Sequence, residues 1–307
     1  NYQGEVPTLK GGRLSVCGVL WCAGGKCGRY GDNMNESQLK RTANRIRRGI
    51  VSSIHSARAG HPGGSLSAAD ILTALYFHEM NIDPANPQAP ERDRFVLSKG
   101  HAAPALYATL AERGYFDTAE LNNLRQIGSI LQGHPDMKHI PGVDMSTGSL
   151  GQGISAAVGM AISAKLRGKA YRVYALLGDG ELQEGQVWEA SMLAAHRELD
   201  NLTVMIDNNG LQIDGDIRQV CSPYPIDQKF AAFGFHVVRI NAHDFGQILD
   251  AFGEARAVKG RPTAIIARSV KGKGVSFMEN QASWHGVAPN DEQYARAMEE
   301  LNRMGDA

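Results

Sequence analysis

Two short polar strings, each at the end of an apolar run, carry the first chemistry that the sequence indicates. Gly178-Asp179-Gly180 follows the run 173–177, and Asn208-Asn209 follows the run 202–206. Glycine allows a sharp turn and lets backbone N–H groups approach a phosphate. Carboxylate and amide oxygens are hard ligands that suit Mg²⁺. Together the two strings predict a site for a divalent metal and a diphosphate.

A strand–helix–strand unit must position these strings. Residues 172–177 have the short apolar pattern of a buried strand, and residues 184–197 repeat apolar side chains at helical spacing. The second strand, 202–206, brings the asparagines to the same sheet edge, because ligands in open α/β sheets bind at the carboxyl ends of strands. The helix N-terminus faces the glycine turn and favours an anion there. Either string alone is typical of an ordinary turn, so the prediction depends on both.

Histidines are the second chemical signal. Four glycine-flanked segments carry one histidine each, at His61, His101, His134 and His285. A single such histidine commonly has only a structural role in a turn or core. Four in this setting favour function, because glycine permits close ligand approach and imidazole donates or accepts protons near neutral pH.

The order of these segments resembles that of the transketolase family. The matching segments are Gly-His-Pro-Gly at 60–63, Leu-Ser-Lys-Gly-His at 97–101, Gly-His-Pro-Asp at 133–136, Ser-Thr-Gly-Ser-Leu-Gly-Gln-Gly at 146–153 and Gly-Asp-Gly at 178–180. The Gly-Asp-Gly string followed by paired asparagines is similar to the thiamine diphosphate motif. The resemblance covers roughly residues 36–300.

This resemblance implies the cofactors and the residues that bind them. The cofactors would be thiamine diphosphate and Mg²⁺, with Ca²⁺ or Mn²⁺ as substitutes for the metal. Asp179 and Asn209 would be side-chain metal ligands, and Leu211 would supply a backbone carbonyl. The cofactor contacts would be His101, Gly148, Ser149, Leu150, Gly180, Glu184, Asn209 and His285.

The resemblance also implies catalytic roles. His61 and His285 would hydrogen-bond substrate hydroxyls, with His285 also reaching the cofactor, and His134 would lie near the terminal hydroxyl of the donor. Glu184 would lie at a dimer interface as well. The reaction would be the transfer of a two-carbon ketol unit between a ketose phosphate and an aldose phosphate.

The expected fold is α/β, a mostly parallel sheet with helices on both faces. The resemblance implies that it is of the kind that binds the diphosphate of thiamine diphosphate. The first helix begins at a capping box, Asn35 with Gln38, and runs to near Gly60. Further helices are predicted at 67–80, 154–165 and 245–258, a turn at 231–234, and strands at 94–97, 235–240 and 263–268.

Composition excludes two classes of partner. The chain has 307 residues, with 32 basic and 32 acidic side chains, so its net charge of zero argues against a nucleic-acid footprint. No apolar run approaches the length of a membrane span. We therefore expect a cytoplasmic enzyme that binds neither nucleic acid nor membrane.

The resemblance implies a partner chain. Transketolases add a pyrimidine-binding domain and a smaller C-terminal domain, and no motif here matches their carboxylate for the aminopyrimidine. Glu181-Leu-Gln-Glu184 also resembles two-chain transketolases more than single-chain ones. The expected assembly is an α₂β₂ tetramer of N-terminal and C-terminal subunits, in which the residues that select the sugar phosphate lie mostly on the partner.

Two alternatives remain open. An α subunit of a thiamine-dependent 2-oxo acid dehydrogenase or decarboxylase shares the Gly-Asp-Gly and Asn strings but does not need the four histidines. A non-catalytic module could be built on the same fold, because fold does not fix function.

Residues 1–33 show no helical or strand period and are expected to be a leader or extension that contributes nothing to the site. The enzyme domain is expected at 34–307, with Met34 as the native start. Cys17, Cys22 and Cys27 have spacing compatible with a metal site but lack a fourth ligand.

Overall fold

The computed structural model describes residues 34–305, and its centre is one parallel sheet. The expectations for residues 1–33, including the three cysteines, lie outside the described residues. The strands of the sheet are β1 (Arg94–Leu97), β2 (Val173–Gly178), β3 (Leu202–Asn208), β6 (His236–Asn241) and β7 (Thr263–Arg268). Their order in the sheet is β1-β2-β3-β7-β6, and every neighbouring pair is parallel. A short antiparallel hairpin is formed by β4 (Leu211–Gln212) and β5 (Gly215–Asp216).

Helices cover both faces of this sheet, which confirms the predicted fold class. On one face lie α1 (Glu36–Ala57), α2 (Pro62–Ala74), α3 (Ala103–Arg113), α8 (Phe245–Ala257) and α9 (Asp291–Gly305), with α9 packed against α1. The other packs against α4 (Gln152–Leu166), α5 (Gly185–His196) and α7 (Ile226–Ala232). The short helix α6 (Ile217–Cys221) follows the hairpin.

The strands bury both faces, as parallel strands between helix layers do. In β2, Tyr174 and Leu176 belong to the core under α1–α3, whereas Val173, Ala175 and Leu177 belong to the core under α4 and α5. This alternation follows from the two-residue period of a strand. Two cores therefore hold the sheet rigidly between them.

The predicted elements differ from the structure mainly around α2. The capping box of Asn35 and Gln38 is present, and the strands at 94–97 and 263–268 match. Helix α2 begins at Pro62, five residues before the predicted start, and continues into a π-helical turn, Leu75–Glu79. Gly63 and Gly64 lie inside its first turn, where proline is favoured and every residue is buried.

Three other helices also differ from the prediction. Helices α3 and α9 lie outside the predicted elements, and α7 overlaps the segment 231–234, which was expected to be a turn. Within residues 34–305, no helix is both long and apolar enough to cross a membrane.

Strand register determines where the functional loops emerge. Leu97 of β1 pairs with Leu176 of β2, and Gly178 of β2 pairs with Asp207 of β3. The loops after β1, β2, β3 and β7 therefore leave the same edge of the sheet. This edge carries the residues considered next.

Candidate active site

The Gly-Asp-Gly turn is joined directly to the loop after β3. The carboxylate of Asp179 accepts hydrogen bonds from Gly180 N, at 2.9 Å, and from Gly210 N, at 2.6 Å. The side chain is only 2% exposed. Burial, with the neighbouring charge of Asp207, raises its pKa to about 7. A bound cation would reverse this effect, because it stabilises the ionised carboxylate.

The two other predicted metal ligands lie on the same loop. Asn209 Oδ1 accepts from Leu211 N at 3.1 Å, and Leu211 O accepts from Lys271 Nζ at 3.4 Å. Among residues 34–305 no group of three or more His, Cys, Asp and Glu side chains could hold a metal by itself. The predicted ligand set consists of one carboxylate, one amide oxygen and one backbone carbonyl. Such a set suits a Mg²⁺ ion whose remaining oxygen ligands come from a diphosphate.

A buried ion pair beneath these loops was not predicted. Lys99 and Asp207 are 1% and 0% exposed and are bonded to each other. Lys99 Nζ also donates to Gly64 O at 2.8 Å, and Asp207 accepts from the hydroxyls of Ser67 and Ser269. Burial opposes the ionisation of Asp207, but Lys99 and these hydroxyls hold its pKa below the usual range. The pair fixes the ends of β1 and β3 to the start of α2.

Three of the predicted histidines form one cluster. The ring centroids of His61 and His101 lie 5.3 Å apart, those of His61 and His285 5.4 Å, and those of His101 and His285 5.1 Å. Burial, with nearby cations that include Lys99 and Lys271, lowers all three pKa values. The pKa of His61 falls to about 4 and that of His285 to about 3. All three imidazoles are therefore neutral at pH 7, each with one donor and one acceptor.

These shifts predict a pH dependence of folding. Between about pH 6.5 and about pH 4 the unfolded chain binds protons at His61 that the folded chain does not, so stability falls as the pH falls. His101 and His285 act in the same direction. We expect His101→Gln to lose less stability than wild type when the pH falls from 7.0 to 5.5. The free energy of unfolding by urea at the two pH values measures this loss. His139→Gln, on the exposed turn after Asp136, is the control. Equal losses in wild type and His101→Gln would contradict the prediction.

The fourth histidine lies beside the cluster. His134 packs against Gly148, where an added Cβ would lie 3.2 Å from the imidazole. Its charge contributes to the lowered pKa of His61, and burial and Arg125 lower its own pKa. His134 is therefore adjacent to the cavity that the others line rather than part of its wall.

Close backbone contact brings the 146–153 segment to this site. A Cβ at Gly100 would lie only 2.7 Å from Gly148 N, so the two loops require glycine there. Ser149 is exposed and does not line the cavity, although Gly148 and Leu150 on either side do.

Most of the predicted site residues thus meet in one cavity. Its volume of about 340 Å³ lies at the lower end of the range for small-molecule sites. The predicted residues in its wall are His61, His101, Gly148, Leu150, Asp179, Gly180, Glu184, Asn209, Leu211 and His285.

Two charged residues in the wall besides Lys99 were missed. Lys271 is 2% exposed, and its Nζ lies 2.9 Å from His285 Nδ1. Burial and the charge of Lys99 lower its pKa to about 8. Its signal in the sequence is the run Lys-Gly-Lys-Gly at 271–274, which follows a strand as the other site loops do.

The second missed residue, Glu181, joins three loops. Its carboxylate accepts from the Ser98 hydroxyl, from Gly151 N at 2.9 Å and from Gly178 N at 3.1 Å. Burial raises its pKa. The sequence shows it only as one of two acids after Gly180, so its structural role could not be separated from that of Glu184.

Comparison with known families identifies the family of the chain. A family model described as the thiamine diphosphate-binding domain of transketolase matches residues 38–304. The chain belongs to the transketolase family. Its sheet and helices therefore form the transketolase version of a thiamine diphosphate-binding domain.

Two relatives are named as transketolase subunits. The chain is 45% identical to the 6-deoxy-6-sulfo-D-fructose transketolase subunit of Clostridium sp., over 89% of this chain and 100% of that protein. It is 40% identical to an apulose-4-phosphate transketolase subunit of Phocaeicola vulgatus, over 88% of this chain and 95% of that protein.

A solved structure provides the third comparison. The transketolase of Campylobacter jejuni superposes with a TM-score of 0.82 at 35% identity, over 88% of this chain. The match covers 43% of that chain, so this protein spans less than half the length of that transketolase.

Proposed function

We propose that the chain is the diphosphate-binding subunit of a two-chain transketolase. It would transfer a two-carbon ketol unit from a ketose phosphate to an aldose phosphate, with thiamine diphosphate and Mg²⁺. The observation that supports this most is the meeting, in one cavity, of the oxygen donors of Asp179, Asn209 and Leu211 with the three-histidine cluster. The first group suits a metal diphosphate and the second suits a polyhydroxylated substrate.

The residues present fit the cofactor. Asp179, Asn209 and the Leu211 carbonyl would hold Mg²⁺. The diphosphate would lie against His101, Gly148, Leu150 and Gly180. Lys271, close to Leu211 O and His285, adds a positive charge on the same side. When bound, thiamine diphosphate supplies the centre that stabilises a carbanion. The chain itself binds and orients the cofactor and forms one wall of the site.

The histidines would manage protons and hydroxyl groups. His61 and His285 are neutral at pH 7, so each can accept a proton from one hydroxyl and donate a hydrogen bond to another. His134, beside Gly148, would approach the terminal hydroxyl of the donor. Cleavage of a carbon–carbon bond in a sugar needs such transfers in both directions.

A partner chain would complete the site. The two relatives named as subunits are covered over their whole or nearly whole length, whereas the Campylobacter transketolase is matched over 43%. We propose that the partner contributes the pyrimidine-binding domain and most of the residues that select the sugar phosphate. Closed two-fold symmetry would then give an α₂β₂ assembly.

The thiamine-dependent 2-oxo acid dehydrogenases are the less favoured candidates. Their chemistry does not call for four histidines around the cofactor, whereas three of them form a cluster here and the fourth lies beside it. The names of the two relatives, which specify a sulfonated ketose and a phosphorylated one, indicate donors with a terminal anion.

Reconstitution tests the proposal. The chain alone, its partner alone and the mixture are assayed for ketol transfer with phosphorylated and sulfonated ketoses as donors and an aldose phosphate as acceptor. We expect transfer only in the mixture, at a mass consistent with α₂β₂. Full turnover by the chain alone would overturn the two-chain proposal. Decarboxylation of a 2-oxo acid without ketol transfer would assign the chain to the other class.

A further inference from the structure

The turn 270–273 carries Lys271 into the site and requires accurate placement. Lys271 Nζ lies 2.9 Å from His285 Nδ1 and 3.4 Å from Leu211 O. Its side chain has almost no exposure to solvent and therefore little freedom to adjust. A shift of this backbone would move the cation relative to both contacts.

Hydrogen bonds from outside the cavity hold the turn on both sides of Lys271. Val270 N donates to His243 Nε2 at 2.9 Å, and Arg47 Nε donates to Lys273 O at 3.1 Å. Asp70 joins these two side chains, because it accepts from His243 Nδ1 at 2.8 Å and from an Arg47 amino group at 2.6 Å. One carboxylate therefore orients both groups that clamp the turn.

This network is buried and has a defined protonation pattern. Arg47 and Asp70 are 4% and 5% exposed, and the side chain of His243 is 12% exposed. Burial opposes the ionisation of Asp70, but Arg47 and His243 lower its pKa to about 2. Because His243 Nε2 accepts from Val270 N–H, the proton must be on Nδ1, where it bonds Asp70. The ring therefore has one orientation that satisfies both neighbours.

The inner side of the turn rests on the start of α2. Gly272 N donates a hydrogen bond of 3.0 Å to the carbonyl oxygen of Gly63, which lies two residues after His61. Gly272 has φ of +78°, and a Cβ there would lie 2.3 Å from Met278 O. The turn is thus packed between the histidine cluster and the Arg47–Asp70–His243 network, and displacement on one side transmits to the other.

We propose that His243, held by Asp70 and Arg47, is a positioning residue that places Lys271 against Leu211 and His285. Helices α1 and α2 and the loop after β6 supply the three members, so the device links the outer helix layer to the cavity wall. That the affected ligand is thiamine diphosphate rests on the proposed function. The role of His243 in placing the turn 270–273 does not depend on it.

Three substitutions of one residue separate the two bonds of His243. His243→Gln keeps an acceptor near the Nε2 position for Val270 N–H. In His243→Asn the shorter side chain places its amide near the Nδ1 position and keeps only the bond to Asp70. His243→Ala keeps neither bond. The matched control is Tyr174→Phe, which removes a buried hydrogen bond of 2.7 Å to Glu79, far from the turn.

Two measurements follow the consequences. Hydrogen exchange of the full chain reports the Val270 amide, and calorimetry with the partner chain present reports the affinity for thiamine diphosphate in Mg²⁺ buffer. We expect His243→Ala and His243→Asn to exchange faster at Val270 and to bind the cofactor about tenfold more weakly, the usual effect of losing a supporting hydrogen bond. His243→Gln should remain close to wild type in both, and Tyr174→Phe should lower only the melting temperature.

The outcomes distinguish a positioning role from a general loss of stability. Unchanged exchange at Val270 in His243→Ala, or cofactor affinity that follows melting temperature across all four variants, would overturn the proposal. If wild type binds no thiamine diphosphate, the proposed function fails, but exchange at Val270 in the Asn and Gln variants still decides the role of His243.

Discussion

Replacement of Asp179 by alanine is expected to weaken the binding of thiamine diphosphate in Mg²⁺ buffer by at least about tenfold, on the order of 1.4 kcal/mol. Asp179 is the only charged member of the proposed ligand set, since Asn209 and Leu211 contribute neutral oxygens. Its two hydrogen bonds to Gly180 N and Gly210 N also hold the two site loops together. Calorimetry on the chain with its partner, at fixed Mg²⁺ concentration, measures the effect.

The control for this substitution lies on the hairpin that follows Asn209. Asp214, at the exposed tip of the β4–β5 hairpin, carries the same charge outside the cavity wall. Asp214→Ala should leave cofactor affinity unchanged, so a general change in net charge cannot explain the loss at Asp179. Equal affinities for wild type and Asp179→Ala would refute the metal assignment.

The sequence was most informative where chemistry depends on short strings at the ends of strands. Gly178-Asp179-Gly180 and Asn208-Asn209 each follow an apolar run, and parallel pairing must bring such ends to one edge. The fold class follows from the same alternation of strands and helices. Glycine beside each histidine marked the loops that approach the cavity, and Gly100 shows why, since a Cβ there would collide with Gly148 N.

The remaining parts of the site depend on contacts between residues distant in sequence. Glu181 accepts hydrogen bonds from groups 83 residues and 30 residues before it, and Lys99 reaches Asp207 across 108 residues. Periodicity carries no information on such pairs. The start of α2 was missed for another reason: all its residues are buried, so it has no polar face from which a helical period can be read.

The charges around the cavity have complementary functions. The positive charge of Lys99 is neutralised by Asp207 beneath the loops, whereas Lys271 faces His285 and the Leu211 carbonyl. Burial, together with the nearby charges of Lys99 and Lys271, keeps the imidazoles of His61 and His285 uncharged. In the proposed function, Lys271 would attract the diphosphate on one side, and the neutral imidazoles would accept hydrogen bonds from substrate hydroxyls or donate to them.

His61→Ala is expected to lower turnover of the reconstituted enzyme by about 100-fold, the scale of a lost general acid–base group. The melting temperature should change little, because His61 is the N-cap residue of α2 and its side chain makes no capping hydrogen bond. Its ring instead faces His101 and His285, 5.3 and 5.4 Å away between centroids. Steady-state ketol transfer per folded molecule, with melting followed by circular dichroism, measures both quantities.

A histidine with a purely structural environment provides the comparison. His55 bonds Asp291 at 2.8 Å and stacks on Tyr294 at a centroid distance of 4.1 Å, on α1 and away from the cavity. His55→Ala should therefore lower the melting temperature without changing turnover per folded molecule, the reverse of the pattern at His61. If His61→Ala instead loses stability and keeps its turnover, His61 supports the fold, and proton transfer in this site must be assigned to other groups.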